Sequence, residues 1–404
     1  MKIRSITCFL NPNQPDQLER LRALAENGRA AFTEAGWEVQ TTRLATLPFP
    51  GWLDLSNPAV AVARARQLEA AAAAQGFDYL SIGPAHFSRL EDFAIIPEII
   101  AATKNTFGTA IMGEAGPGVS LPAVRACGEI IARCATISPD GFANLRFAAL
   151  ANVGPYTPFF PAAYHGDEGM AFALAVECAD AAVDAFTGAV SLAEGRARLL
   201  QSLDGAAYQM GQVAARMAAQ SGAAFKGFDF SLAPFPEDCC SLAGAMQALG
   251  VGGVGQMGAL AAGAILADTL DAGSWPRAGF NGLMLSVLED SVMAAATGAA
   301  LTVKDLLLYS TVCGAGLDTV PLPGDASAAQ LSALLLDVAA LAVRLGKPLT
   351  ARLMPVPGKA AGEMTQYDFG YFANGQVMAL PAGPLTGAFA GNETVPLHPR
   401  GTHR

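Results

Sequence analysis

The stretch Cys313–Asp325, CGAGLDTVPLPGD, ends an apolar run with a Pro-x-Pro-Gly corner that is followed at once by a charge. The chain repeats this corner as PVPGK at Pro355–Lys359. Proline fixes φ and lacks an N–H group, so it suits the end of a strand, and the glycine permits a sharp turn after it. Both corners therefore predict loops at strand ends of one large barrel. A pair of rigid loops without a chemical role is the alternative.

The rest of the chain repeats the order strand, Gly/Pro loop, helix, which is typical of parallel strands joined by helices. Five strand-like runs come first: Ile3–Leu10, Trp37–Leu44, Tyr79–Ile82, Phe107–Met112 and Leu145–Val153. Five more follow a predicted helical stretch: Phe225–Ala233, Gly282–Leu288, Tyr309–Val320, Leu349–Met354 and Gly375–Leu380. This count predicts a ten-stranded α/β barrel of two five-stranded halves, with two stacked open sheets as the alternative.

No linker has the composition of a domain boundary, so we expect a single domain over residues 1–390. Its first half covers about 1–155, the helical linker about 165–220 and the second half about 221–390. The last residues, 391–404, have no core pattern and are expected to form a loose tail.

The composition excludes some classes of protein. Hydrophobic residues make up 52% of the 404 residues and charged residues only 15%, against an average of about 25% charged. So few charges imply a large buried surface, and we expect a homo-oligomer, with a dimer favoured. The net charge is −10 and there is no basic run, which argues against nucleic acid as a partner.

Cysteine usage and hydropathy predict a cytoplasmic protein without a membrane span. The seven cysteines are odd in number and form no CxxC pair, as expected of a reduced protein. No signal peptide is recognisable at the N-terminus. Ser241–Ala267 lacks formal charges and is long enough to cross a bilayer, but glycines between Gly250 and Gly258 divide it. We therefore expect a pair of buried helices there.

Three carboxylates lie on successive predicted strands of the second half. Asp229 alternates with Phe228 and Phe230, where a carboxylate is costly to bury unless it is paired or bound to a cation. Asp318 shares a strand face with two glycines, which leave room for a ligand. Glu289 ends an apolar run, where helix capping is an equal alternative. We predict that these residues are catalytic acid/base groups or ligands of Mg²⁺, Ca²⁺ or Mn²⁺.

Cationic and polar side chains near strand ends are the predicted substrate-binding groups. Arg352 can hold a substrate carboxylate through two hydrogen bonds, and Lys359 follows its corner. The first-half candidates are Arg43, His86, Glu114 and His165. Strand ends of antiparallel halves point to opposite mouths, so these residues need not meet the acids. A salt-bridge network of Arg352 with Asp229 or Asp318 is the structural alternative.

Two other patterns point to weaker chemistry. Cys313 and the pair Cys239–Cys240 could act as thiol nucleophiles, but no histidine is near them in sequence, and cysteine is commonly a small buried residue. Gly250–Gly255 matches GxGxxG, yet a helical pattern precedes it where a dinucleotide site needs a strand. We therefore expect no NAD.

Several long segments resemble domain-of-unknown-function family 711: MKIRSIT, TTRLATLPFP, DFSLAPFPED, CGAGLDTVPLPGD, KPLTARLMPVPGKAAG and YDFGYFANGQVM. The resemblance covers almost the whole chain. It implies the barrel of pyruvate formate-lyase and other glycyl radical enzymes, with ten strands in two halves. The chain has no C-terminal Arg-Val-x-Gly-aromatic stretch, so no glycyl radical is expected. The family implies no settled reaction.

Two functional hypotheses follow. The first is an enzyme that acts on a small polar or carboxylate-bearing molecule by acid/base or divalent-metal-assisted, non-radical chemistry. The second is a catalytically silent protein that binds a small molecule on an old enzyme barrel. The acids distinguish them, because an enzyme places at least two acids around one point with water or metal between them, whereas a binding relic neutralises them by salt bridges.

Overall fold

The structure is a computed structural model, and it describes residues 1–14, 16–298 and 300–399. Its strands are β1 (Lys2–Leu10), β2 (Val39–Thr46), β3 (Tyr79–Ala85), β4 (Thr106–Glu114), β5 (Gly118–Ser120), β6 (Phe147–Ala151), β7 (Ala171–Glu177), β8 (Ala224–Asp229), β9 (Leu285–Ser286), β10 (Gly316–Pro323), β11 (Leu349–Val356) and β12 (Thr394–Val395).

The helices are α1 (Asp16–Glu34), α2 (Pro58–Ala74), α3 (Ile96–Ala102), α4 (Leu121–Ala135), α5 (Ala179–Phe186), α6 (Leu192–Ser221), α7 (Leu242–Ala248), α8 (Ala259–Asp271), α9 (Ser291–Ala296), α10 (Val303–Tyr309) and α11 (Ala328–Leu345). Side-chain caps begin several of them. Asn57 accepts from the Val60 N–H at α2, and Ser327 forms a capping box with Gln330 at α11.

The strands form one large, mostly parallel sheet, so the fold is α/β. The hydrogen-bonded order is β8-β7-β1-β2-β3-β4-β6-β11-β10-β9, with β5 on β4 and β12 on β5. Pairs within β1-β2-β3-β4-β6 are parallel, as are β7-β8 and β9-β10-β11. The junctions β1-β7 and β6-β11 are antiparallel. Two sets of five parallel strands thus run in opposite directions.

The sheet is not closed, which corrects the prediction of a closed ten-stranded barrel. The two ends of the sheet are β8 and β9, which share no ladder. Residues next to them form one isolated bridge, Leu232–Leu283, where the Leu232 N–H donates to the Gly282 carbonyl at 2.9 Å. β9 is only two residues long, because the chain turns into a 3-10 helix at Val287–Glu289. So short a strand cannot form a continuous ladder with β8.

Two sequence-based assignments differ from the structure. Ala171–Glu177, predicted as part of a helix, is the fully buried strand β7 between β1 and β8. A strand that is buried on both faces shows a continuous apolar run, which periodicity does not distinguish from a buried helix. Gly375–Leu380, predicted as a strand, has an isolated bridge at Gln376 with Met364 and no ladder.

The apolar segments pack as helices against the sheet and each other. Ser241–Ala267 contains α7 and the start of α8, as predicted. By length and composition, α11 is the one helix in the described part of the chain that could cross a membrane. Its residues Leu331, Leu335 and Val338 are buried, and it packs on α4. One face of α11 is thus buried against the body of the protein.

The C-terminal segment 391–399 lies on the body of the protein, although 391–404 was predicted to be a loose tail. Thr394 pairs with Ser120 in the ladder between β12 and β5. The guanidinium of Arg125 donates to the Gly391 carbonyl at 2.9 Å. Residues 400–404 of the predicted tail lie outside the described part of the chain.

Candidate functional site

A cavity of about 60 Å³ lies against side chains from both parallel sets of strands. This volume has room for about four water molecules or a small polar molecule. The strands and the turn after β9 contribute Arg4, Arg43, Tyr79, Phe107, Glu289, Asp318 and Arg352. Loop residues complete the wall: Leu145, Phe159, Phe160, Met284, Phe369 and Tyr371. The sheet therefore curves enough for β1 to β4 to share one cavity with β10 and β11.

The charged side chains of the cavity other than Arg43 form a continuous chain of ion pairs that ends at Glu177. Arg352 donates to both oxygens of Asp318, at 2.5 and 2.8 Å, and to Glu289 at 2.9 Å. Arg4 donates to the other oxygen of Glu289 at 2.5 Å and to Glu177 at 2.8 Å. The structural alternative that the sequence left open, a network of Arg352 with Asp318, is therefore present.

Arg43 lies on the same cavity but outside this chain of ion pairs. Its side chain is buried, and its Nε donates to the Thr41 hydroxyl at 2.9 Å. The guanidinium carbon lies 5.5 Å from the Tyr79 ring centroid and 5.3 Å from that of Phe160. Within residues 1–14, 16–298 and 300–399, no carboxylate lies within ion-pair distance of it. Arg43 is thus a buried cation held by aromatic faces and one hydroxyl.

The surroundings move the pKa values of the charged groups in different directions. Burial lowers the pKa of Arg43 to about 10, and the charge of Arg4 adds to the effect. Burial raises the pKa of Asp318, although Arg352 opposes the shift. Burial also acts to raise the pKa of Glu289, but the charges of Arg4, Arg352 and Arg43 outweigh it and leave that pKa below its ordinary value. The pKa values of the two cavity acids therefore move in opposite directions, up for Asp318 and down for Glu289.

A β-bulge in β10 positions Asp318. The register between β10 and β11 shifts at Asp318–Thr319, and Thr319 has a φ of +43°. Its hydroxyl lies 2.9 Å from the Ser286 hydroxyl and accepts from the Leu288 N–H at 3.2 Å. Bulges re-aim side chains next to functional sites, and a left-handed non-glycine residue costs about 1–3 kcal/mol. The tertiary structure around β9 thus holds the strained residue beside Asp318.

Asp229 does not line this cavity. Its buried carboxylate accepts from the N–H and the hydroxyl of Ser231 at 3.0 and 2.6 Å. It also accepts from the N–H groups of Phe280 and Asn281 at 2.7 and 2.9 Å. These four donors offset the cost of burial and tie the loop before β9 to the end of β8. The structure brings Glu289 and Asp318 together on Arg352 and leaves Asp229 elsewhere.

The other predicted binding residues also lie off the cavity. Lys359 is half-buried in the corner after β11, and its carbonyl accepts from the Gly324 N–H at 3.0 Å. His86 and Glu114 are partly exposed and lie 3.4 Å apart. His165 is buried, its Nδ1 accepts from a backbone N–H at 2.8 Å, and burial lowers its pKa. Of the first-half candidates, the cavity includes Arg43 alone.

The cavity does not fit the predicted hard divalent cation. Both oxygens of Glu289 and both oxygens of Asp318 already accept from guanidinium groups. A cation there would also face the charge of Arg43. In the described ranges, the group with metal-ligand spacing is a different one, Glu237 with Cys239 and Cys240.

Sequence reasoning missed Arg4, Glu177 and the aromatic wall. Arg4 stands inside the apolar strand KIRSITCFL, which is the same signal that singled out Asp229. Glu177 is the last residue of β7, a segment that the sequence pattern assigned to a helix. The aromatic residues carried no signal, because most phenylalanines and tyrosines pack in cores.

Comparison with known proteins places the chain in a family. A family model described as "Uncharacterised ACR (DUF711)" matches residues 1–370. The chain belongs to the DUF711 family. The match covers β1 to β11 and every cavity residue except Tyr371.

DUF711 relatives that carry the name "UPF0210 protein" match along most of their length. The Pyrobaculum islandicum protein is 32% identical, over 87% of this chain and 80% of its own. The Pyrobaculum arsenaticum protein is 30% identical over 92% and 88%, and that of Acetivibrio thermocellus is 29% identical over 90% and 84%. These names state no activity for the family.

Proposed function

We propose that the cavity of this DUF711 protein binds a small molecule with one carboxylate group and an apolar portion. The observation that carries this proposal is the environment of Arg43. Arg4 and Arg352 each contact two carboxylates, whereas Arg43 contacts none among the described residues. A buried charge without a direct ion-pair partner is costly, and a bound carboxylate would reduce that cost through two hydrogen bonds.

The rest of the wall suits the apolar portion of such a molecule. Phe107, Phe159, Phe160 and Met284 line the same cavity as Arg43. Binding sites for small molecules are commonly apolar, with a few polar groups that fix the ligand's orientation. The volume of about 60 Å³ limits the ligand to a few non-hydrogen atoms.

A catalytic role for the same cavity is the second candidate. Asp318 has a raised pKa and Glu289 a lowered one, and both contact Arg352. Pairs of acids whose pKa values are pushed apart are typical of acid/base catalysis. Asp318 would then exchange a proton with the bound molecule by a non-radical reaction, and Glu289 would stay ionised to hold the arginines.

Ligand binding is better supported than catalysis, because the cavity acids are already neutralised. Each contacts at least one guanidinium, as expected of a binding protein on an old enzyme scaffold. The likeness to the pyruvate formate-lyase barrel stays an expectation from the sequence. So does the cytoplasmic location, for which the seven unpaired cysteines are the support.

The test measures thermal stability with a panel of short aliphatic monocarboxylates, each beside its uncharged amide. We expect an acid to stabilise the protein, by about 2.7 kcal/mol at a hundred times its Kd, and the amide to have little effect. Arg43→Gln removes the charged hydrogen bonds and should weaken the binding by about tenfold to a hundredfold. Arg216→Gln removes the same charge at an exposed position of α6 and is the matched control.

The outcomes separate the two functions. Equal stabilisation of the wild-type protein and Arg43→Gln, or no stabilisation by any acid, would contradict the binding proposal. Once a ligand is found, the chemical fate of that ligand decides between binding and catalysis. Asp318→Asn should stop conversion more strongly than it weakens binding if the cavity is catalytic.

A further inference from the structure

The loop between β8 and α7 carries a group of side chains that no part of the proposed cavity uses. Glu237, Cys239 and Cys240 each offer one ligand atom, and these three atoms lie within 4.8 Å of one another. Cys239 is exposed and Cys240 is half-buried, whereas the other five cysteines are buried. Cys239 and Cys240 are therefore the two thiols that are accessible from solution.

Two of the three distances between these atoms are close to those in the coordination shell of zinc. The two Sγ atoms are 3.7 Å apart, far longer than a disulfide bond. On a tetrahedral zinc ion with Zn–S bonds of about 2.3 Å, two sulfurs lie about 3.8 Å apart. The Cys239 Sγ lies 3.8 Å from the Glu237 Oε2, and a sulfur and an oxygen on the same ion lie about 3.5 Å apart.

The loop holds this arrangement by its own backbone. The Cys240 N–H donates to the Glu237 carbonyl at 2.8 Å, and the Phe235 N–H donates to the Cys240 carbonyl at 3.0 Å. The neighbouring Asp238 is used otherwise, because it accepts from the Ser291 hydroxyl at 2.6 Å. The three ligands therefore lie on a braced turn.

The charges around the loop favour a cation. Within the described ranges Glu237 has no ion-pair partner, and the Lys2 ammonium pairs instead with Glu38 at 3.4 Å. The carboxylate of Glu237 is therefore available to a divalent ion, which would release the protons of the two thiols when it binds.

We infer that Glu237, Cys239 and Cys240 form a binding site for a soft divalent metal such as Zn²⁺. Two thiolates and one carboxylate are ligands that zinc accepts, and they do not suit Mg²⁺ or Ca²⁺. Three protein ligands leave the fourth tetrahedral position for water or a solute. The same loop reaches the cavity, since the Pro234 carbonyl accepts from Arg4 at 3.4 Å and the Phe235 and Tyr371 ring centroids are 5.8 Å apart.

The test uses the reduced, chelator-treated full chain. Co²⁺ should bind one per chain and give the visible and ultraviolet bands of tetrahedral cobalt–thiolate coordination. Competition against a chromogenic chelator then gives the Zn²⁺ affinity. We expect Cys239→Ser and Cys240→Ser each to weaken binding by at least about tenfold, and Glu237→Gln to weaken it by less. Asp238→Asn removes a neighbouring carboxylate outside the group and should leave the affinity within about twofold.

A second measurement tests the inference on the wild-type protein, so it does not depend on the folding of any variant. In the native wild-type protein, Zn²⁺ should protect two thiols from a thiol reagent, because the other five are buried. Absence of cobalt–thiolate bands, equal Zn²⁺ affinity in the double serine variant, or oxidation of the pair to a disulfide without metal binding would overturn the site. None of these results depends on whether a carboxylate binds near Arg43.

Discussion

Arg4 and Arg43 show how much the neighbours of a buried charge matter. Both guanidinium groups are buried on one cavity, on adjacent strands β1 and β2. Arg4 contacts Glu177 and Glu289, and the pKa of Arg4 is raised because these charges outweigh the opposing effect of burial. Arg43 contacts rings and one hydroxyl, and its pKa is lowered. Arg4 therefore belongs to the chain of ion pairs, whereas Arg43 has no ion-pair partner among the described residues.

This contrast gives a paired prediction on stability. Arg4→Met leaves Glu177 and Glu289 buried without one of their partners and should destabilise the protein by about 3–5 kcal/mol. Arg43→Met removes a charge without an ion-pair partner and should change the free energy of unfolding by less than about 1 kcal/mol, or raise it. Urea denaturation of both variants measures the difference. Equal losses would show that Arg43 also has a structural role.

The ion pairs of Glu289 predict how stability depends on pH. Although burial alone would raise its pKa, the arginines hold it below the ordinary value of 4.5, so folding favours the ionised form. The stabilisation by ionised Glu289 is fully present at pH values above 4.5 and is lost as the pH falls through the lowered pKa of the folded protein. Glu289→Gln lacks it, so the gap in stability between wild type and variant should narrow on acidification.

Urea midpoints measured from neutral pH to below 4.5 test this prediction. Glu34→Gln changes an exposed glutamate of α1 and should leave the pH dependence unchanged. A gap that stays constant over the whole range would mean that Glu289 contributes no charge-dependent stability.

At the scale of elements, the two Pro-x-Pro-Gly corners end adjacent strands and contact each other. Pro323 of β10 lies opposite Val356 of β11, and the Gly324 N–H donates to the Lys359 carbonyl. A Cβ atom on Gly324 would lie 2.2 Å from the Val356 carbonyl oxygen, whereas one on Gly358 would meet nothing within 4 Å. The repeat thus reflects a close approach of two backbones more than a shared chemical role.

The corners predict unequal costs for the same substitution. Gly324→Ala forces the two backbones apart and should cost about 3 kcal/mol or more. A methyl group at Gly358 has open space around it, so Gly358→Ala should lower the free energy of unfolding only by the strain of a φ of +75°, about 1–2 kcal/mol. Thermal and urea unfolding of both variants measure the costs. A larger loss at Gly358 would contradict this account of the corners.

At the scale of the whole molecule, the low charge content and the exposed apolar side chains indicate that chains associate with each other. The charged fraction of 15% predicts a homo-oligomer, and a dimer is the favoured form. Large apolar side chains on the surface include Val190, Tyr208, Met257 and Phe389. Exposed apolar side chains are normal when scattered and mark an interface when they lie together.

The prediction is a dimer in dilute solution, with twice the mass of one chain. Light scattering coupled to size exclusion measures the mass, and a dilution series shows how it depends on concentration. A single-chain mass at every concentration would contradict the prediction and leave the low charge content to the large core alone.

The sequence by itself determined the family, the alternation of strands and helices, and nine of the ten predicted strand positions along the chain. These features depend on neighbours a few residues apart, such as apolar runs, prolines and glycines. Local pattern failed where it is ambiguous. β7 has the uniform apolar run of a doubly buried strand, and the segment Tyr309–Val320 is divided between the end of α10 and β10.

Only the tertiary structure decided which charges meet. Arg4 and Glu289 are 285 residues apart in sequence and share a hydrogen bond. The bulge at Thr319 aims Asp318 at Arg352. Asp229, which the sequence predicted for the same site, accepts its hydrogen bonds elsewhere, two of them from N–H groups 51 and 52 residues away. The curvature that gathers β1 to β4 with β10 and β11, and the short β9 that leaves the sheet open, also depend on long-range packing. Local patterns of residues carry no information about such contacts, because the chain brings them together only when it folds.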